Sequence, residues 1–215
     1  MRGGIGALTG HPSTNPAEAA GFGHSALLRR PTKESKMKRI QDAREKPPRP
    51  ERFGDVLIRA ACPADAEKIT ALANMYGYRY GTLRLPFQTV EETRKGLESP
   101  NPGAKRLVAE RNSQIVGDVF LGPMLGRRRH AASIGIGVHD DFVGNGVGNA
   151  LMMAILDIAD NWLDLRRVEL TVFVDNEKAI RLYEKNGFVK EGHLREFAFR
   201  DGQYIDAYSM ARLKD

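Results

Sequence analysis

Cysteine is nearly absent: Cys62 stands alone among 215 residues, so no intramolecular disulfide forms and the chain suits a reducing compartment. Cys62 is read as structural. No window approaches the roughly 18 consecutive apolar residues of a membrane span. The least charged early stretch, residues 3–17, is broken by His11, Pro12, Asn15 and Pro16. No membrane partner is expected, and the localisation implied is cytoplasmic. Metal-ligand spacing is also missing, since the five His and one Cys fall nowhere close together. No metal is expected.

An excess of one charge is missing from most of the chain. The net charge is +6, yet residues 1–52 hold 11 basic and 5 acidic residues while residues 53–215 hold 22 of each. The excess belongs to the leading segment, so nucleic acid is not an expected partner of the domain. That segment carries 6 Gly and 6 Pro but only 8 bulky apolar residues, too few to offset the entropy of ordering it. Residues 1–52 are therefore expected to be a disordered basic tail, ending in a stiff charged linker around Pro47, Pro48 and Pro50. Met37 is an alternative start. One globular domain is expected over residues 53–215.

What is there begins with alternating elements. A short strand is expected over Val56 to Arg59. Pro63, Ala64 and Asp65 open an amphipathic helix through Met75, with Ile69, Leu72 and Ala73 on one face. A second helix runs from Thr89 to Leu97. Apolar runs at Arg106 to Arg111 and Gln114 to Leu121 flank Asn112 and Ser113, a connection that favours a hairpin. A strand over Ala131 to His139 follows the basic turn of Arg127, Arg128 and Arg129. Past the glycines at 144, 146 and 148 comes a helix with the stripe Leu151, Ile155, Ile158, Trp162. Val168 to Val174 reads as a strand and Lys178 to Lys185 as a helix. Phe188 to Ala198 and Tyr204 to Leu213 read as strands across Asp201 and Gly202. The order β α α β β β α β α β β implies a mixed α/β sandwich.

Between the strand ending at Val138 and the following helix, Gly144, Gly146 and Gly148 permit positive φ and remove Cβ atoms. Backbone N–H groups there can face an anion, as a pyrophosphate cradle does. A dinucleotide site with Asp175 holding a ribose is one alternative. Against it, the spacing G-x-G-x-x-G fails at Asn149 and again at Leu151. A Walker lysine is missing as well. A plain glycine-rich turn is the other alternative. Further on, Asn176 and Tyr183 are seven residues apart, hence on one helix face about 10 Å apart, with small Ala179 between them. Such a face can line a thin, extended ligand, and Gly187 then stops the helix before Phe188.

These two segments resemble the acetyl-CoA motifs of the GNAT superfamily of N-acetyltransferases. The first of those motifs runs V-x(4)-[RQ]-x-x-G-x-[GA], and the second N-x-x-A-x-x-L-Y-x-K-x-G-F. Val138, Gly146 and Gly148 match the first, with Val143 standing where Arg or Gln is usual. Asn176, Ala179, Leu182, Tyr183, Lys185, Gly187 and Phe188 match the second. Within the superfamily the chain is most similar to the L-amino-acid N-acetyltransferases, through Gly81, Thr82, Leu83, Pro86, Arg127 to His130, Asp160 to Trp162, and Val168 to Asn176. Gly202, Tyr204, Asp206, Ala207, Tyr208, Met210 and Ala211 also fit.

The resemblance implies a GNAT fold, a mixed sheet of about seven strands flanked by about four helices. It also implies acetyl-CoA as cosubstrate and a small-molecule amine as acceptor, most simply a free L-amino acid. Backbone groups at Ile136 and Val138 would hold the pantetheine arm and polarise the thioester carbonyl. Val143, Gly144, Asn145, Gly146, Val147, Gly148 and Asn149 would cradle the pyrophosphate, and Asn176, Ala179 and Tyr183 would line the cofactor. Tyr183 would act as proton donor to the departing sulfur. A phenol of pKa about 10 is a weaker acid than a thiol near 8.5, so full transfer is uphill by roughly 2 kcal/mol and hydrogen bonding to the thiolate is its main contribution.

With no carboxylate on the Ala131 to Val138 strand, His130 is the candidate base, with a relay through Ser133, ahead of His193 and Glu196. Arg84 and Leu85, with Ser133, are the candidate substrate contacts, Arg84 or the 127–129 cluster pairing with an acceptor carboxylate. Acetylation of protein N-termini and non-catalytic acyl-CoA binding stay open as alternatives, as does pairing of two copies.

Overall fold

A computed structural model describes residues 52–98 and 101–214. The expected tail falls, up to Glu51, outside the described residues. Eight strands form one sheet: β1 (Arg52–Phe53), β2 (Val56–Ala60), β3 (Lys105–Arg111), β4 (Gln114–Pro123), β5 (Ala131–Val138), β6 (Arg167–Phe173), β7 (Val189–Arg200) and β8 (Gln203–Leu213). Their spatial order is β1-β2-β3-β4-β5-β6-β8-β7. Five α-helices accompany them: α1 (Ala66–Ala73), α2 (Tyr76–Tyr80), α3 (Val90–Glu98), α4 (Val147–Asp157) and α5 (Glu177–Lys185). This is the mixed α/β architecture that the alternation of strand and helix patterns implied. Among the described residues no helix is long and apolar enough to cross a membrane.

Local chemistry accounts for most of the elements. Asn112 and Ser113, at φ 49° and 64°, make the two-residue turn between β3 and β4, and Asp201 and Gly202 make the one between β7 and β8. The apolar stripe of α4 buries Leu151, Met152 and Ile155 completely against Val116, Val119, Leu121 and Ala132 of β4 and β5. Each such side chain contributes about 1.5–3 kcal/mol of burial. On the opposite face, Ile69 and Leu72 of α1 pack with Val108 and Ile115. The strands thus lie between two helical layers.

Three local features depart from the sequence reading. Trp162, expected on the buried stripe, is 61% exposed. The last turn of that helix opens into a π-type turn over Ile158–Trp162, where the Leu163 N–H reaches back five residues to the Ile158 carbonyl, and the wider turn carries the indole out of register. Residues 76–80, unassigned in the sequence reading, form α2. In β7 the register slips between Leu194 and Ala198, so Arg195, Glu196 and Phe197 bulge opposite Asp206. Asp206 holds the bulge by accepting from the Glu196 N–H at 2.8 Å while its other oxygen meets His193 Nε2 at 2.7 Å.

The feature that positions the site is the pairing of β5 with β6, the one parallel pair in the sheet. Partners are Ala131 with Arg167, Ala132 with Val168 and Ser133 with Glu169, and there the pairing ends. β5 stays bonded to β4 as far as Val138, and β6 to β8 as far as Phe173. The sheet therefore splits into two halves that diverge beyond a three-residue hinge. The hinge is closed by the His130 carbonyl, which accepts from the N–H groups of both Arg166 and Arg167.

Candidate active site

The backbone of β5 alternates, and two hydrogen bonds fix its phase. The His139 N–H donates to Val116 and the Ala131 carbonyl accepts from Met124, so odd-numbered residues address β4. Ile136 and Val138 therefore turn their N–H and C=O groups toward β6, where no ladder is formed beyond the Ser133–Glu169 pair. An unsatisfied strand edge inside a cleft is a site for an extended amide-bearing ligand.

At the end of that edge the chain makes a 3-10 turn, Asp140–Phe142, and enters the glycine segment. Gly146 is the N-cap of α4 with φ 82°, and Gly144 has φ 92°; a Cβ at either position would meet open space, so backbone conformation and not crowding demands glycine. The first α4 amide with an intrahelical acceptor is Ala150, bonded to the Gly146 carbonyl at 3.0 Å. The N–H groups of Val147, Gly148 and Asn149 point out of the helix terminus, with the positive end of its dipole behind them. Val143 is half exposed beside them, and Asn145 is tied back by its N–H to the Phe142 carbonyl. This donor set fits a diphosphate.

The α5 helix flanks the opening. Asn176 caps it, its side-chain oxygen accepting from the Ala179 N–H at 3.2 Å. Gly148 abuts Leu182, and the Asn186 amide donates to Asn149 at 3.3 Å, so α5 is seated against the start of α4. Tyr183 is 7% exposed, packs its ring 5.9 Å from that of Phe188, and shares one cluster with Ala179, Ile136 and Val138. Burial pushes its phenol above the ordinary tyrosine value, so it stays protonated.

Across the sheet from α4 lies a cavity of about 180 Å³, walled by Tyr78, Thr82, Arg84, Arg106, Asp118 and Phe120 and reaching β5 at Gly135 and Ile136. A smaller one of about 40 Å³ adjoins Thr82 on the β6 side, between Thr171, Phe173 and the bulged Phe197. Asp118 is 2% exposed; it accepts from the Tyr78 hydroxyl at 2.6 Å and lies 3.8 Å from Arg106. The Tyr78 ring covers Gly137, where a Cβ would come within 1.9 Å of it. Burial and the Asp118 charge hold the Tyr78 phenol protonated.

The α2 helix is held to the turn that follows β5, far from it in sequence. Both carboxylate oxygens of Asp140 accept backbone bonds from it, from the N–H of Gly77 at 2.9 Å and of Tyr78 at 3.1 Å. At its other end Arg200 stacks 3.6 Å above the Tyr80 ring, donates to the Tyr80 carbonyl and pairs with Asp175. Asp140→Ala is expected to raise the acceptor KM about tenfold, the scale of a lost helix cap, with a smaller effect on acetyl-CoA affinity. Initial rates at varied acceptor, set beside a calorimetric titration with acetyl-CoA, check this.

The structure gathers Ile136, Val138, Ala179 and Tyr183 in one apolar cluster, places the 143–149 segment at the start of α4 beside α5, which Asn176 caps, and puts Arg84 in the cavity that reaches Ile136. It does not bring His130 there. His130 is exposed at the hinge, six residues or about 20 Å of strand before Ile136, and cannot reach an amine at the open edge. Ser133 sits at the hinge as well, its hydroxyl 3.5 Å from the Gly122 carbonyl. Leu85 is 77% exposed and outside the cavity wall, and Arg128 is paired with Glu169. His193 and Glu196 belong to the β7 bulge. The sequence reading passed over Asp118, Tyr78, Arg106 and Asp140. Asp118 carried a signal, being the one carboxylate inside the apolar run from Gln114 to Leu121.

A split sheet, an anion cradle at the following helix and a flanking helix with a buried tyrosine together define an acyl-CoA-dependent transferase. Residues 72–188 match the model of the acetyltransferase (GNAT) family. The chain belongs to this family and is an acetyl-CoA-dependent N-acetyltransferase. It is similar to the L-amino acid N-acetyltransferase AaaT of Escherichia coli K12, 39% identical over 166 residues, 75% of this chain and 100% of that one. It is also similar to the spermidine N(1)-acetyltransferase of Vibrio cholerae, 31% identical over 137 residues, 64% of this chain and 79% of that one. A solved GNAT acetyltransferase from Streptococcus pneumoniae superimposes with a TM-score of 0.66 at 31% identity, over 74% of this chain and 99% of that one.

Proposed function

We propose that this enzyme acetylates the α-amino group of a free L-amino acid. The observation that carries the reading is the pair of guanidinium groups, Arg84 and Arg106, in a cavity that adjoins the open edge of β5. An amino acid brings a carboxylate to such cations and gains charge-assisted hydrogen bonds. A polyamine brings only further positive charge. The 39% identity to an L-amino acid N-acetyltransferase over that protein's whole length supports the same choice.

Acetyl-CoA supplies the acetyl group as an activated thioester. The N–H groups of Ile136 and Val138 are the donors available to the thioester oxygen, where negative charge grows as the amine attacks. The amides of Val147, Gly148 and Asn149 hold the diphosphate. Tyr183 Oη donates its hydrogen toward the departing sulfur. With its phenol pushed above the ordinary value, hydrogen bonding contributes more there than complete proton transfer.

Release of free CoA thiol, followed over a panel of amines, is expected to be faster with free L-amino acids than with spermidine, aminoglycosides or peptides. Arg84→Gln is expected to raise the amino-acid KM roughly ten- to a hundredfold, the worth of one hydrogen bond to a charged group, without affecting amines that lack a carboxylate. Activity confined to peptides with particular first residues would overturn the reading in favour of protein N-terminal acetylation.

A further inference from the structure

We propose that Asp118 is the anchor for the acceptor's ammonium group, and so the residue that selects amines over other nucleophiles. The inference rests on the amine-acetylating function given above and adds a residue to it. Asp118 is paired in register with Gly137, so its side chain leaves the same sheet face that Gly137 presents, one residue from Ile136 and its inward-turned amide. A carboxylate buried in a strand needs partners for about four lone-pair positions. Tyr78 serves one oxygen, Oδ1, at 2.6 Å. The other, Oδ2, has Arg106 at 3.8 Å, an ion-pair distance and not a hydrogen bond, and Asp118 is part of the cavity wall. That oxygen has capacity for the N–H groups of a cation.

The cavity sets one carboxylate beside two guanidinium groups, an arrangement that suits a zwitterion. Arg84 and Arg106 supply cations for a carboxylate, Phe120 supplies an apolar wall, and among the described residues Asp118 is the only anionic one lining the cavity. An α-amino acid satisfies all three at once, with its ammonium on Asp118 and its carboxylate on the arginines. The ammonium gives up one proton to solvent before the neutral amine attacks, and the proton shed as the amide forms balances the CoA thiolate to free thiol. The corresponding hydroxy acid keeps the carboxylate and side chain but offers Asp118 no positive charge. Tyr78, whose N–H is held by Asp140 and whose ring lies over Gly137, donates to Oδ1 and so holds the carboxylate by that oxygen, leaving Oδ2 to Arg106 at ion-pair distance.

The test is a calorimetric titration of the CoA-loaded full-length protein with L-leucine and with L-2-hydroxyisocaproate. The wild type is expected to prefer leucine about tenfold or more, and Asp118→Asn, which keeps the shape and an acceptor for Tyr78, is expected to bring the two within about twofold. Should the Asn variant fail to fold, Asp118→Ala combined with Tyr78→Phe removes both ends of the Tyr78–Asp118 hydrogen bond and leaves only the partly exposed Arg106 without its ion pair. Preference for leucine retained in either variant, equal binding of the two ligands by the wild type, or binding of neither overturns the proposal. Thiol release by the wild type separates this from the function itself. A leucine preference that depends on Asp118 without thiol release from any amine leaves the anchor standing and removes the transferase reading. Thiol release without that preference does the reverse.

Discussion

Tyr183→Phe is expected to lower kcat roughly ten- to a thousandfold with little change in the acetyl-CoA KM, the range for loss of one positioned donor. The ring remains, and with it the packing against Phe188 and the α5 face beside the opening. What is lost is one hydroxyl, which in the proposed mechanism matters when charge grows on sulfur, a transition-state interaction. Because burial raises this phenol, the pH profile on the alkaline side should show no tyrosine titration in the neutral range. A more basic acceptor should not rescue the variant, since the missing group serves the leaving thiol and not the attacking amine. Steady-state rates at saturating acceptor, with chemistry shown to be rate-limiting, decide the matter. Wild-type kcat in the Phe variant rules the role out.

Gly146→Asp is expected to weaken acetyl-CoA binding about a hundredfold or more, equivalent to roughly 2.7 kcal/mol, in a protein that still folds. Nothing lies within 4 Å of the Cβ that the substitution adds, so the α4 terminus accommodates it sterically. An aspartate at an N-cap is favourable to the helix itself, which offsets part of the strain of φ 82°. Its carboxylate, however, occupies the mouth of the cradle and repels the diphosphate. Gly146→Asn carries the same backbone strain without the charge, so it should retain most of the affinity. Calorimetry on the pair isolates the charge effect, and unchanged affinity in a folded Asp variant removes the cradle from the mechanism.

Much of this was legible in the sequence because local chemistry fixes it. Asn112 with Ser113 and Asp201 with Gly202 announce their turns, and the spacing from Asn176 to Tyr183 announces one helix face. The side proposed for the acceptor was not legible, because it is made of contacts between distant segments. α2 is five residues with a glycine inside, too short to stand on propensity, and it is fixed by Asp140 from 62 and 63 residues away. Asp118 was visible as a charge in an apolar strand, but which face it occupies follows from its register against Gly137. His130 had suitable chemistry and the wrong address. Where β5 and β6 part company depends on how far each remains bonded to its outer neighbour, a property of the whole sheet.

The bare backbone at Gly77 and Gly137 limits how this enzyme can change its acceptor. A side chain at Gly77 would collide with Asp140 at 2.6 Å, and one at Gly137 with the Tyr78 ring at 1.9 Å. Residues 77, 78, 137 and 140 therefore interlock, and altering any one alone spoils the wall before it reshapes the cavity. Arg84, Arg106 and Phe120 border the same space without belonging to that interlock, whereas Thr82 donates its hydroxyl to the Tyr78 carbonyl at 3.0 Å. If the cavity takes the acceptor as proposed, a shift of acceptor is expected from single substitutions at the positions outside the interlock, whereas residues 77, 78, 137 and 140 are expected to change only together.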